Sequence, residues 1–129
     1  MKLSQHLDTD LDDRLICPDG CGLGTLPKHW DPALAPLFER LRFEVNRTLF
    51  ILSGCRCPVH NSAIGGVPNS LHTRGAALDI ARPLDMPFDL FALAASRVVG
   101  RGGLGFYPRA NFIHIDTGLL VAPSRRWHG

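Results

Sequence analysis

Apolar residues recur along this chain at two different periods. Leu34, Leu37, Phe38, Leu41 and Val45 return every three or four positions, the spacing of one helical face. Asp31-Pro32 stands just ahead of them. Aspartate caps free N–H groups, and proline in a first turn gives up no hydrogen bond, so the pair predicts a helix start that tolerates Pro36 soon after. A second helical set, Phe88, Phe91, Leu93, Ala94 and Val98, follows Asp85 as its expected cap and ends at Gly100-Arg101-Gly102-Gly103. Shorter runs have strand character. Thr48 to Ser53 reads as a buried strand and Ala76 to Ala81 as another; Leu104 to Tyr107 and Phe112 to Thr117 read as a pair joined through Pro108-Arg109-Ala110-Asn111. Gly54 to Pro58 is a turn by composition, Val59 to Ile64 a short helix, and Gly65 to Ser70 a loop. The first thirty residues are polar, acidic at Asp8, Asp10, Asp12 and Asp13, then rich in Gly and Cys, and read as an irregular arm. The expected architecture is α+β: a small, mainly antiparallel sheet with helices packed on one side, in a single domain over residues 1–129.

Composition narrows the function classes. With 129 residues, 45 % hydrophobic and 20 % charged, the chain has globular rather than disordered composition. Fourteen Lys+Arg against twelve Asp+Glu leave +2, which provides no basic stripe for a nucleic acid. No uncharged apolar run approaches the roughly 18 residues of a membrane span, so no membrane partner is expected. Met1-Lys2-Leu3-Ser4-Gln5-His6-Leu7-Asp8 lacks the apolar core of a secretory signal, so synthesis in the cytosol is expected; the chain is separately expected to be a monomer. A chain of this size buries only about two-thirds of its unfolded surface. A metal or disulfides would help it.

Two segments concentrate the chemistry: Ser70-Leu71-His72-Thr73-Arg74-Gly75-Ala76-Ala77-Leu78-Asp79 and Phe112-Ile113-His114-Ile115-Asp116. Side chains alternate across a strand, so His114 and Asp116 share one face while Ile113 and Ile115 take the core face. If the two strands pair, His72, Asp79 and His114 converge. Two imidazoles and a carboxylate suit Zn²⁺ with a fourth position left to water, the pattern of a catalytic site. Zinc lowers the pKa of such a water from about 15.7 towards about 7. Asp116, on the same face, would take that water's proton or orient a ligand from behind. A lone His with a lone Asp is more often a surface pair, but Asp79 inside an apolar strand demands a compensating charge.

The pattern S-x-H-x-x-G-x-A-x-D, met by Ser70, His72, Gly75, Ala77 and Asp79, resembles the signature of the peptidoglycan-cleaving zinc peptidases. That group includes D-Ala-D-Ala carboxypeptidases and L-Ala-D-Glu endopeptidases, with hedgehog domains as fold relatives. Ser53-Gly54-Cys55-Arg56-Cys57-Pro58-Val59-His60-Asn61 is similar to the group's S-G-x-R-x-x-x-x-N segment. Gly102 to Pro108 and Phe112 to Thr117 resemble the end of a compact subgroup. The resemblance implies a hedgehog-like peptidase fold, Zn²⁺ held by His72, Asp79 and His114, and a peptidoglycan stem peptide as substrate. It implies that Arg56 holds a substrate carboxylate or the developing oxyanion, where Lys would not replace its planar fork. Ser70 becomes a substrate-side hydrogen-bonder or a turn residue. The sequence departs from many relatives at Asn111, where they carry a catalytic acid three residues before the last His. Asp116 is the nearest substitute, and the subgroup's H-x-D-T supports it as general base.

Other residues admit more than one reading. Cys17-x3-Cys21 and Cys55-x-Cys57 match no C-x2-C knuckle, and the readings are free thiols, bridges stapling the arm to the Arg56 loop, or a second zinc site. His60 reads as a helix-surface histidine, while His6 and His29 have no partner pattern. Arg126-Trp127 reads as a clasp closing the domain rather than as groove lining. Two functions follow: a zinc carboxypeptidase or endopeptidase acting on the cell wall after release or as a phage component, or a catalytically idle, zinc-containing cell-wall binding module.

Overall fold

A computed structural model describes residues 1–129. Helix α1 spans Leu34–Val45, and its buried residues are the five read as its apolar face. It begins a little after Asp31-Pro32. The Asp31 carboxylate accepts the Ala33 N–H at 3.3 Å and the Asp31 carbonyl the Leu34 N–H at 3.0 Å, so this pair shapes the turn that leads in. Helix α2 is the short Pro58–Ala63, and α3 is Phe88–Val98. Asp85 does not cap α3, contrary to expectation. Extended backbone at Pro87 sets the start at Phe88, beyond the reach of Asp85, which pairs instead with Arg47 Nε at 3.0 Å. Leu93 points outward; α3 buries Phe91, Ala94 and Ala95.

Five strands form the main sheet: β3 (Ile51–Ser53), β4 (Ala77–Ala81), β5 (Gly103–Tyr107), β6 (Phe112–Asp116) and β7 (Arg125–His128). Their order is β3-β4-β6-β5-β7. All pairs are antiparallel except β5 with β7, which run parallel, so the sheet is mixed. The tail expected to clasp the domain is therefore an edge strand. The run from Thr48 supplies only the short β3, and its burial is one-sided: Ile51 is buried, Phe50 and Leu52 are exposed. Alternation turns Ile51 to the core and its two neighbours to solvent, as in an antiparallel sheet with one packed face.

Leu78 and Ile80 of β4, Leu104 of β5, and Ile113 and Ile115 of β6 share a face and pack with α1 and α3 in one apolar cluster. Leu7, Leu15 and Trp30 join that cluster, so the arm is more ordered than its polar composition suggested. Lys2–Ser4 (β1) and Leu7–Asp8 (β2) pair as an antiparallel ribbon, and single 3₁₀ turns lie at Asp13–Leu15 and Pro27–His29. The arm is sewn to the site loop through its backbone: Gly54 N–H donates to the Arg14 carbonyl at 3.1 Å and Cys55 N–H to the Leu15 carbonyl at 2.8 Å.

Candidate metal centre

The sheet register assembles half of the site. Ser53, Asp79, His114, Gly105 and Trp127 are successive partners across β3, β4, β6, β5 and β7. With Leu78, Ile80, Ile113 and Ile115 committed to the core, alternation places Asp79 and His114 side by side on the opposite face. His72 arrives from outside the sheet, on the 3₁₀ turn Leu71–Arg74. Ser70 starts that turn, its Oγ accepting the His72 N–H at 3.3 Å. Gly75 ends it with φ +62°, where a Cβ would run into the His29 carbonyl. Only glycine suits that conformation at that approach.

The proton positions around these groups are constrained. His72 Nδ1 lies 2.7 Å from the Gly54 carbonyl, which only accepts, so Nδ1 carries the hydrogen. His114 Nε2 lies 2.7 Å from Asp116 Oδ2, so there the hydrogen sits on Nε2. With neutral rings, the lone pairs of His72 Nε2 and His114 Nδ1 then both face Asp79 Oδ1, at 3.2 Å and 3.1 Å. Three acceptors converging on one point are mutually repulsive unless a cation lies among them. The two outer hydrogen bonds, one to a carbonyl and one to a carboxylate, are those that orient metal-ligating imidazoles. The residues present therefore fit a divalent metal, with His72 and Asp79 buried to 1 % and 16 % side-chain exposure. Without an ion, a proton on His114 plays the cation's part. Burial pushes the Asp79 carboxyl up, but hydrogen bonds from His114 and His72 outweigh it and hold the group well below the usual range. Burial lowers His114 while Asp116 and Asp79 raise it, and the net direction is up.

Asp116 stands behind His114. It is 1 % exposed; Oδ1 accepts from Gly103 N–H at 2.7 Å, Gly118 N–H at 2.9 Å and Arg125 Nη2 at 2.5 Å, and Oδ2 accepts from His114. It does not line the cavity that opens over His72, Asp79 and His114. Asn111, where many relatives of the resembled group hold an acid, lies in the exposed β5–β6 turn at φ +58° with its Oδ1 accepting from Arg82 Nε at 3.0 Å.

A cavity of about 480 Å³ opens over His72, Asp79 and His114 and is walled by Arg56, Ser70, Tyr107, Phe112, Arg125 and Trp127. A second, of about 400 Å³, shares Arg56, Asp79 and Phe112 with it and continues past Ser53 and His60. His60, read as a surface histidine, thus borders the cleft. Arg56 is half-buried; its Nε has no partner and Nη2 makes a long 3.5 Å bond to Ser70 Oγ. Burial pushes its pKa down while Asp79 opposes that.

Trp127 corrects a sequence expectation: it is groove lining, with its ring 5.1 Å from that of His114 and its Nε1–H donating to Tyr107 Oη at 2.8 Å. Arg126 alone acts as the clasp, donating to the carbonyls of Val99 at 2.6 Å and Gly102 at 3.3 Å. Tyr107 and Arg125 were missed by sequence reasoning. The Gly103-x-Gly105-x-Tyr107 alternation was the available signal, since two glycines on one strand face leave room for a neighbouring aromatic.

Residues 12–116 match the family model described as Peptidase M15. The peptidoglycan L,D-endopeptidase MepK of Escherichia coli (strain K12) is 32 % identical over 113 residues, covering 78 % of this chain and 56 % of that protein. The probable peptidoglycan L,D-endopeptidase MepK of Haemophilus influenzae is 31 % identical over 107 residues, covering 77 % and 54 %. The chain thus spans about half the length of these relatives.

Proposed function

This chain belongs to the peptidase M15 family, and we propose that it is a zinc-dependent endopeptidase acting on peptidoglycan stem peptides. The observation that carries this reading is the meeting of His72 Nε2, His114 Nδ1 and Asp79 Oδ1 at 3.1–3.2 Å with both outer ring nitrogens already spoken for. His72, Asp79 and His114 would hold the ion, which when bound supplies a Lewis acid for the scissile carbonyl and lowers the pKa of water. Zinc is favoured by two imidazoles and one carboxylate.

The remaining roles belong to the chain's own groups. Arg56, which lines both cavities and keeps a buried Nε without a partner, anchors a stem-peptide carboxylate or steadies negative charge at the reacting carbonyl. Tyr107 Oη accepts from Trp127, which leaves its own O–H to donate to the substrate oxygen or to the departing amine. Asp116 holds His114 in its tautomer, a positioning role in place of the general base expected from sequence. Ser70 ties Arg56 to the turn bearing His72.

Endopeptidase is favoured over carboxypeptidase because open space continues on both sides of Asp79 and Arg56, so a chain can run through. The similar MepK proteins, named as L,D-endopeptidases, point the same way. A specific observation also supports the idle-module reading: Asp79 is the sole carboxylate lining the cavity over the ligands, and Asn111 faces Arg82. Digestion of a defined muropeptide separates the readings. An endopeptidase yields two peptide fragments by mass, is silenced by a chelator and is restored by Zn²⁺. Loss of a single terminal D-alanine would make it a carboxypeptidase, and binding to sacculi without any release would make it the module.

A further inference from the structure

A second group of ligand-type side chains lies outside the cleft chemistry. Cys17, Cys21 and Cys57 gather with Asp19 so that one donor atom from each lies within 4.8 Å of all the others. Donors on a tetrahedral zinc with Zn–S of about 2.3 Å stand about 3.8 Å apart, so small side-chain adjustments close the set. Each sulfur already accepts one backbone N–H. Cys17 Sγ takes that of Cys57 at 3.3 Å, Cys21 Sγ that of Leu23 at 3.5 Å, and Cys57 Sγ that of His60 at 3.4 Å. Amides aimed at three sulfurs stabilise thiolate charge and orient the ligands.

Asp19 is the fourth member. Its Oδ1 accepts from the Cys21 amide at 2.9 Å and the Cys17 thiol at 3.2 Å, and its Oδ2 from the Cys57 thiol at 2.8 Å. The carboxylate is therefore already turned towards the sulfurs. Three sulfurs are also the wrong number for a bridge: one disulfide uses two and strands the third beside a carboxylate. Cys55 stays out of the group. It is buried, its Sγ faces the His29 carbonyl at 4.0 Å, and burial pushes its thiol up to about 12.

We propose that Cys17, Cys21, Cys57 and Asp19 form a second, structural site for a divalent metal of zinc type, closed by four protein ligands. On binding, three thiol protons leave to solvent, and three thiolates with one carboxylate set −4 against the ion's +2. The net −2 is that of an ordinary four-cysteine zinc site. The site ties the arm around Cys17–Cys21 to the loop in which Cys57 directly follows Arg56. A short chain with a modest core gains a staple where its substrate-side arginine is held.

The test is metal content and cobalt spectroscopy of the 129-residue chain. Zinc-replete wild type should hold two zinc ions per chain, and the cobalt-substituted form should show the near-ultraviolet thiolate-to-cobalt charge-transfer band. The band reports this site alone, because His72, Asp79 and His114 offer no sulfur. His114→Ala should lower the zinc count while keeping the band, and Cys57→Ser should lose the band and leave one ion. One metal per chain without the band in wild type overturns the proposal whether or not the variants fold. So does an unreduced mass lighter by two hydrogens, which is a disulfide. A band with no metal retained at the histidine site leaves this proposal standing and defeats the catalytic reading instead.

Discussion

His114 Nε2 and Asp116 Oδ2 lie 2.7 Å apart, two residues along one strand and on the same face of the sheet. The carboxylate is buried, yet it stays ionised. Burial raises its pKa, but His114, the Gly103 amide and Arg125 together bring it below the usual range. A fixed negative charge behind the ring puts the imidazole proton on Nε2 and aims the Nδ1 lone pair at Asp79. The pair therefore decides the direction in which His114 offers electrons.

Asp116→Asn tests that relationship. An amide nitrogen facing Nε2 would donate instead of accept, favouring the other tautomer and putting a hydrogen on Nδ1, the atom proposed to face the ion. Zinc affinity should fall about 10–100-fold, measured by chelator competition, with activity recovering at raised zinc. If zinc affinity holds while turnover vanishes, Asp116 is the proton acceptor expected from its sequence position.

Much of this arrangement was legible in the sequence because it follows from strand alternation. Once Ile113 and Ile115 are given to the core, His114 and Asp116 must share the other face, and the β4–β6 pairing brings Asp79 opposite His114. The apolar face of α1 was legible for the same reason, through its 3.6-residue period. What stayed hidden depends on contacts distant in sequence. Nothing in Arg125 or Trp127 says that the tail pairs parallel with β5, and no periodicity marks Leu7 and Leu15 as core residues in a polar arm. The approach of Cys57 to Cys17 and Cys21 is likewise set by arm-to-loop hydrogen bonds between segments some forty positions apart.

The metal-free chain should be most stable in mildly acidic solution. His114 is raised in the fold above its ordinary 6.5, so its contribution is complete below that value and is lost as pH climbs through the folded pKa. Asp79 is depressed from 3.8, so its contribution is complete above that value and is lost as pH falls through the folded pKa. Both are present between about pH 4 and 6.5. Metal needs deprotonated imidazoles, so added zinc should raise Tm more at pH 8 than at pH 5.5, as seen by calorimetry. Equal increments at the two values would show that the three ligands do not exchange protons for metal.

Arg56→Lys should keep the fold and the metal while cutting kcat/KM about 100-fold, since a point charge replaces a two-pronged donor. Running the series on a substrate whose free carboxylate is amidated identifies the partner. If Arg56 grips that carboxylate, wild type and variant converge on the amidated substrate; if it serves the reacting carbonyl, the gap persists. Identical kinetics for wild type and variant on both substrates would remove Arg56 from the site.

Gly105 sits between His114 and Trp127 in the cross-sheet row, and a Cβ there would meet the Trp127 indole at 2.5 Å. Because β7 is tied to β5 through its backbone, the ring must swing aside, losing its 2.8 Å bond to Tyr107 and its packing on His114. Gly105→Ala should therefore cost about 1–3 kcal/mol in denaturant titrations, with tryptophan emission shifted to the red as the indole meets water. Gly100→Ala is the matched control: an added Cβ there has nothing within 4 Å, and its φ is not in the left-handed region. That change should be neutral or stabilise by up to about 1 kcal/mol through the unfolded chain. Equal stability for the two variants would mean that the Trp127 wall adapts without cost, and Trp127 would then have no part in holding His114 or Tyr107 in place.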